Sequence, residues 1–119
     1  MTISHSGWVT DDHNYLFICN ENDKGIDITI WDISNPSNPT RVSQINDEDN
    51  VAHNLYIIGN YAYVSYYRAG LRIYDVSDPN DPFLVYQYDT NDSPFEGSHI
   101  NGAFGVYPFT SSGNIYVSD

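Results

Sequence analysis

The sequence has 119 residues, of which 40% are hydrophobic and 15% aromatic, so it is long enough to bury the core of one domain. Sixteen acidic residues against four basic ones give a formal net charge of −12. This charge argues against nucleic acid and anionic membrane surfaces as partners, and it permits cations, carbohydrates or a basic protein.

Four short runs separated by polar turns predict the strands of a first unit. The runs either alternate polar and apolar residues or are rich in β-branched and aromatic ones. Cys19 lies in the second, apolar run, and we expect a buried structural thiol there. The runs cover residues 4–10, 15–19, 27–31 and 41–45.

A second unit repeats this plan, and Asn60 in its first turn corresponds to Asn14. Residues 114–118 match the start of its second strand and predict a third, partial unit. No stretch has helical periodicity with caps. The strands of the second unit are predicted at residues 52–58, 61–66, 71–74 and 83–88.

The chain ends in what reads as the middle of a strand, at residues 116–119. Residues 1–4 lack the pattern of a signal peptide, and no run is long enough to span a bilayer. We therefore expect the sequence to be a piece of a longer protein, without direct membrane insertion.

A doublet of Asx-Pro segments organises the two complete units. Trp-Asp-Ile-Ser-Asn-Pro-Ser-Asn-Pro at 31–39 recurs as Tyr-Asp-Val-Ser-Asp-Pro-Asn-Asp-Pro at 74–82, 43 residues later. Proline fixes φ and lacks an N–H, so the strand stops there, and we expect Asp32 and Asp75 to accept backbone N–H bonds in the turn.

Repeated four-stranded units of this length predict the blades of an all-β propeller, here about two and a half of them. The units extend over residues 4–46, 51–90 and 98–119 of one all-β repeat region. A small β-sandwich of about ten strands is the alternative fold. Because an incomplete propeller leaves sheet edges open, we expect the isolated chain to self-associate.

Residues 66–79, Tyr-Tyr-Arg-Ala-Gly-Leu-Arg-Ile-Tyr-Asp-Val-Ser-Asp-Pro, resemble the LVIVD-type repeat of bacterial surface proteins. Residues 5–8 with 11–13, residues 53–56 and residues 102–109 are similar to the choice-of-anchor B proteins. The resemblance implies a β-propeller that is secreted and held at the cell surface by a separate C-terminal anchor. It implies no particular activity.

Two histidines occupy equivalent positions in the complete units: His5 lies three residues before Trp8, and His53 three residues before Tyr56. The first strand of a propeller blade lines the central channel, so we expect both imidazoles to point toward its axis or mouth. Imidazole suits Zn, Cu, Fe or Ni, with Asp11 and Asp12 as further candidate ligands. The alternative is a pair of channel-lining histidines bonded to backbone or water.

The third unit breaks this series, because Ala103 takes the equivalent position and His99 falls in a preceding loop. A second metal candidate is a calcium loop at residues 20–25, although Lys24 stands where a ligand is needed and no Glu follows at the right distance. Acidic clusters are also commonly just solvated. The acidic set comprises Asp11, Asp12, Glu21, Asp23, Asp27, Asp47, Glu48 and Asp49.

Arg68 and Arg72 flank one predicted strand and are half of the cationic side chains. They either pair with carboxylates such as Asp75 or Asp78, or Arg68 grips an anionic ligand group. No Gly-x-Ser-x-Gly elbow or phosphate loop is present, so nucleophilic catalysis finds little support.

The sequence therefore favours a non-catalytic binding or display module that takes a protein or glycan ligand. The alternatives are a metal-dependent propeller enzyme that uses His5 and His53, and a purely structural repeat array. The candidate stacking surfaces for a sugar or peptide are Trp8, Tyr56, Tyr66, Tyr67 and Phe104, although we expect most of these side chains to pack within the blades. The predicted ligand-binding residues at the channel mouth are His5, Trp8, His53, Asn54, Arg68 and His99.

Overall fold

The computed structural model describes residues 3–21, 25–90 and 100–119, and the regular structure in these ranges is entirely β. Ten strands follow one another along the chain. They are β1 (Ile3–Val9), β2 (Tyr15–Glu21), β3 (Ile26–Asp32), β4 (Thr40–Asn46), β5 (Asn54–Ile58), β6 (Tyr61–Tyr66), β7 (Gly70–Asp75), β8 (Phe83–Tyr88), β9 (Gly105–Tyr107) and β10 (Tyr116–Ser118).

The strands form two four-stranded antiparallel sheets, ordered β1-β2-β3-β4 and β5-β6-β7-β8, and a two-stranded sheet of β9 and β10. Each sheet is a meander in which neighbours along the chain are neighbours in the sheet, and this is how a propeller blade is built. The predicted strands of both complete units are confirmed. Strand β9 was missed because its three residues, which are followed by Pro108, are too few to show alternation.

The two Asx-Pro turns have the same hydrogen bonds. Oδ1 of Asp32 accepts from the backbone N–H of Ser34 at 2.9 Å and from its hydroxyl at 2.6 Å. Asp75 does the same for Ser77 at the same two distances. These bonds hold the pKa of both aspartates below its ordinary value. The predicted role of the two aspartates is therefore confirmed.

The hydrophobic core lies between the two four-stranded sheets. Strands β2 and β3 contribute buried side chains from one sheet, and β5, β6 and β7 contribute them from the other. Cys19 is buried in this core, as predicted, and burial raises the pKa of its thiol to about 12. The fully or nearly fully buried members on these strands are Phe17, Cys19, Ile28, Ile30, Leu55, Ile57, Ala62, Val64, Tyr66 and Tyr74.

The first strands of the three sheets converge. Ser6 of β1 donates its hydroxyl proton to the carbonyl of His53, just before β5, at 2.8 Å. The third sheet is attached through Ala103, whose N–H bonds to the Tyr67 carbonyl at 2.8 Å. Gly102 permits this approach with φ of +117°, since a Cβ there would lie 2.2 Å from the Tyr67 oxygen. The region where β1, β5 and β9 meet is thus fixed by contacts among all three sheets.

Strand β8 forms an edge of the second sheet, and all six of its residues are exposed. No helix in the described ranges has the length and apolar character needed to cross a membrane.

Candidate functional site

His5 and His53 lie against each other where the first strands converge. Their ring centroids are 4.2 Å apart and the rings are tilted by 31°. A β-bulge between Ser4 and Ser6 interrupts the pairing of β1 with β2 at His5, and such bulges re-aim side chains. The structure therefore brings together two histidines that the sequence places at equivalent positions of its repeats.

Glu21 completes this cluster from the end of β2. Its Oε2 lies 3.7 Å from Nδ1 of His5, and its Oε1 lies 3.5 Å from Nε2 of His53. One nitrogen from each histidine and one oxygen of Glu21 all lie within 4.8 Å of one another. The Tyr67 hydroxyl donates to Oε1 of Glu21. We call His5, Glu21 and His53 the His-Glu-His cluster.

The tautomer of His53 follows from its neighbours. Nδ1 lies 2.5 Å from the carbonyl oxygen of Phe104, and a carbonyl can only accept, so Nδ1 carries a proton. When the ring is neutral, its other nitrogen, Nε2, therefore presents a lone pair on the side of Glu21.

Burial keeps His53 neutral. The residue is only 2% exposed, and the cost of burying a charge lowers the pKa of the ring. The bond to the Phe104 carbonyl and the charge of Glu21 raise the pKa, and His5 lowers it further, with a net fall below the ordinary value. The neutral, ligand-competent form of His53 is thus favoured.

Contacts on several sides hold His53 in place. Its N–H bonds to the Ser65 carbonyl at 2.9 Å, and its ring packs against Tyr67 and Phe104, with centroids 4.8 Å and 4.2 Å away. The Phe104 carbonyl also lies 3.1 Å from the Ser65 hydroxyl. His5, whose side chain is 35% exposed, has more freedom to move.

The two aspartates predicted as metal ligands lie outside this cluster, in the turn after β1. Oδ2 of Asp11 accepts from the Gly59 N–H at 3.1 Å. Asp12 accepts from the Thr10 hydroxyl at 2.6 Å and from the Asn14 N–H at 3.0 Å, and these bonds lower its pKa. Asp12 therefore has a local role in the turn.

Of the other predicted ligand residues, Asn54 borders the cluster, and Arg68 follows Tyr67 in the chain. The Asn54 side chain donates to the Phe104 carbonyl at 3.4 Å, and Arg68 is half-buried in the turn beside Tyr67. The predicted contribution of His99 falls on a position outside the described residues, as do Asp23 and Lys24 of the proposed calcium loop. Glu21, the first acid of that loop, belongs to β2 instead.

A second feature beside the His-Glu-His cluster is an aromatic group drawn from the same first strands. The Trp8 ring lies edge-on to Tyr56 at 4.9 Å and 5.6 Å from Phe109. Phe109 also contacts Tyr56 at 5.3 Å and Tyr107 at 5.6 Å. Phe109 is 40% exposed and Tyr107 54%. We call Trp8, Tyr56, Tyr107 and Phe109 the aromatic cluster.

The other aromatic candidates differ in exposure. Phe104 is 58% exposed, so it remains available to a ligand. Tyr66 and Tyr67 are buried, so they pack within the fold, which was the alternative to a stacking role. Tyr66 lies in the core under the Arg72 guanidinium, and Tyr67 supports Glu21.

Sequence reasoning missed Glu21, Tyr67 and Phe104 as partners of the histidines. One signal was present for Glu21: continuing the alternation of Phe17 and Cys19 by two residues puts it on the same, inward face of β2. Phe104 contributes a backbone carbonyl, which no side-chain pattern can reveal.

Residues 8–47 and 51–90 each match the family model of the LVIVD repeat. The chain belongs to the LVIVD repeat family. A search of curated proteins and a search of solved structures each found no match. The first match covers the end of β1 and all of β2 to β4, and the second covers β5 to β8, so the two four-stranded sheets are blades of a β-propeller-type repeat module. The His-Glu-His cluster and the aromatic cluster both include side chains from β1 and from the start of the second blade.

Proposed function

We propose that this LVIVD chain is a non-catalytic binding module that recognises a neutral glycan at Trp8. The observation that carries the proposal is an open surface cleft of ≈ 400 Å³, whose lining combines the aromatic residue Trp8 with polar residues. Its lining comprises Gly7, Trp8, Val9, Thr10, Asp11 and His13.

The aromatic side of this cleft is held in place. Trp8 is supported by Tyr56 and Phe109, so its ring does not have to be ordered when a ligand arrives. A pyranose has an apolar C–H face and a rim of hydroxyls, and a fixed indole offers the matching apolar surface.

The polar side of the cleft is also ordered. The Gly59 N–H fixes one oxygen of Asp11, and the other oxygen is left to accept from a ligand hydroxyl. His13 adds a second polar side chain in the turn. Such a pairing of an apolar platform with few fixed polar groups is typical of small-ligand sites.

The net charge of −12 disfavours anionic sugars and supports a neutral glycan. The resemblance of residues 5–8 with 11–13, 53–56 and 102–109 to choice-of-anchor B proteins supports a place for the module on the outside of a bacterial cell, as part of a secreted or surface-anchored propeller.

Glycan arrays followed by fluorescence titration test this proposal. The Trp31→Phe variant leaves Trp8 as the sole tryptophan reporter and serves as the matched control, since Trp31 lies on β3 and is absent from the cleft. We expect saturable binding of at least one neutral oligosaccharide, weakened in Asp11→Ala; for Trp8→Ala, which removes the fluorescent reporter, binding is read on the array and should be lost there. Equal binding by Trp8→Ala, or no binder on the array, would overturn the proposal in favour of a structural repeat.

A further inference from the structure

We infer that the His-Glu-His cluster is a binding site for one divalent transition-metal ion of the zinc type. Two imidazoles and one carboxylate form a ligand set that zinc uses in three-ligand sites, where a fourth position stays open. Calcium and magnesium prefer oxygen ligands, so two histidines select against them.

The hydrogen bonding of His53 is that of a metal ligand. Its Nδ1–H donates to the Phe104 carbonyl, which leaves the Nε2 lone pair 3.5 Å from a carboxylate oxygen of Glu21. Metal-bound histidines commonly donate their second ring N–H to a carbonyl in this way. Two electron-rich atoms that face each other at this distance are stabilised by a cation between them.

A proton is a poorer occupant of this position than a metal ion. The His53 residue is 2% exposed, and a protonated ring would bury a positive charge. The Tyr67 hydroxyl already donates to the oxygen of Glu21 that is nearest to Nε2. Tyr67 thereby orients the carboxylate from outside the cluster.

The donor atoms need only a modest adjustment to bind. They lie within 4.8 Å of one another, whereas ligands of a tetrahedral zinc ion with bonds of about 2.0–2.1 Å are about 3.3 Å apart. The adjustment falls on His5 and Glu21, whose side chains are 35% and 26% exposed, while His53 stays fixed.

The bound ion would join all three sheets. His5 and Glu21 come from the first blade, His53 and the supporting Tyr67 from the second, and the Phe104 carbonyl from the segment that enters β9. Metal binding should therefore stabilise the arrangement of the sheets as well as provide an open coordination position.

Calorimetric titration tests the inference: zinc chloride is added to the chelator-treated 119-residue chain in excess magnesium, which occupies carboxylate-only sites. We expect one zinc ion per chain and a rise in melting temperature with zinc but not with calcium. His5→Ala and Glu21→Gln should abolish the stoichiometric binding, and Tyr67→Phe should weaken the affinity by about 10- to 100-fold.

His13→Asn is the matched control. His13 is an exposed histidine in the turn after β1 with φ of 60°, a conformation that asparagine tolerates, and it lies outside the cluster. It should bind zinc like the parent chain. Absence of stoichiometric binding in the parent chain, or unchanged binding in both His5→Ala and Glu21→Gln, would overturn the inference. Neither result would bear on the glycan cleft at Trp8.

Discussion

Arg72 and Asp47 form an ion pair that joins the two blades, with Nη1 of the arginine 2.6 Å from Oδ2 of the aspartate. Arg72 lies on β7 of the second blade, and Asp47 directly follows β4 of the first. Their side chains are only 11% and 18% exposed, and the Arg72 guanidinium also covers the Tyr66 ring at 4.4 Å. Arg72 thus makes a cation–π contact and a salt bridge at one point of the interface.

Removing one member of this pair should be costly. Arg72→Ala leaves the largely buried Asp47 carboxylate without its cation, so we expect a loss of about 3–5 kcal/mol in the free energy of unfolding. Urea denaturation measures this change. Arg41→Ala, which alters an exposed arginine on β4, is the control and should stay within about 0.5 kcal/mol of the parent. Equal effects of the two substitutions would contradict the prediction.

Asp27 gives the fold a pH dependence. Burial raises the pKa of its carboxyl to about 7, the Asp47 charge raises it too, and the Asp47 N–H and Arg72 oppose the rise. Neither carboxyl oxygen has a partner with hydrogen-bond geometry among the described residues. The other titratable groups that interact with Asp27 are Cys19, Tyr66 and Tyr74.

The sign of this effect follows from the raised pKa. Between pH values of about 4 and 7 the folded chain holds a proton on Asp27 that the unfolded chain has lost, so stability falls as pH rises, by at most about 1.4 kcal/mol per unit. Above pH 7 both the folded and the unfolded chain have lost this proton, and its contribution to stability is gone. We expect Asp27→Asn to be more stable than the parent at pH 8 by a few kcal/mol and nearly equal to it at pH 4.

Urea denaturation of Asp27→Asn and of the parent across pH 4–8 checks this prediction. The overall negative charge affects both free energies of unfolding alike, so its effect cancels in their difference. Glu48→Gln, which neutralises an exposed acid, is the matched control, and its free energy of unfolding should stay close to that of the parent at each pH. A constant difference between Asp27→Asn and the parent at all pH values would show that Asp27 does not titrate in this range.

The predictable part of this fold is local. The roles of Asp32 and Asp75 were predictable because an aspartate shortly before Ser and Pro commonly accepts backbone N–H bonds in a turn. The strands on either side were predictable from the alternation of polar and apolar residues. The pairing of Arg72 with Asp47, rather than with the expected Asp75 or Asp78, depends on how one blade stacks on another. The meeting of Glu21 with His5 and His53 depends in the same way on a bulge and on contacts between sheets.

The repeated Asx turns should contribute equally to the two blades. Asp32→Ala and Asp75→Ala each remove the acceptor for two bonds from a serine, and the distances are the same in both turns. We expect similar falls in melting temperature for the two variants. The melting temperature of Asp32→Asn should fall less than that of Asp32→Ala, because the asparagine side-chain oxygen also accepts hydrogen bonds in Asx turns.

The acid dependence of these turns has the opposite sign to that of Asp27. Their hydrogen bonds lower the pKa of Asp32 and Asp75, so their contribution is present above the ordinary aspartate pKa of 3.8 and is lost as pH falls through the lowered value. The difference in melting temperature between parent and alanine variants should thus shrink in strong acid. A difference that persists unchanged there would rule out the carboxylate as its source.

Strand β8 makes self-association of the isolated chain the expected behaviour. All six of its residues are exposed, including Leu84 at 45% and Tyr86 at 51%, and one of its edges is unpaired among the described strands. An apolar edge strand of this kind pairs readily with another chain. We expect light scattering to report dimers or larger species, and Tyr86→Lys to shift them toward the monomer, since a charged edge disfavours pairing. Tyr61→Lys, at a 44% exposed tyrosine on β6, should leave the association unchanged. A parent chain that is monomeric at all concentrations, or equal effects of the two lysines, would show that β8 is not the contact.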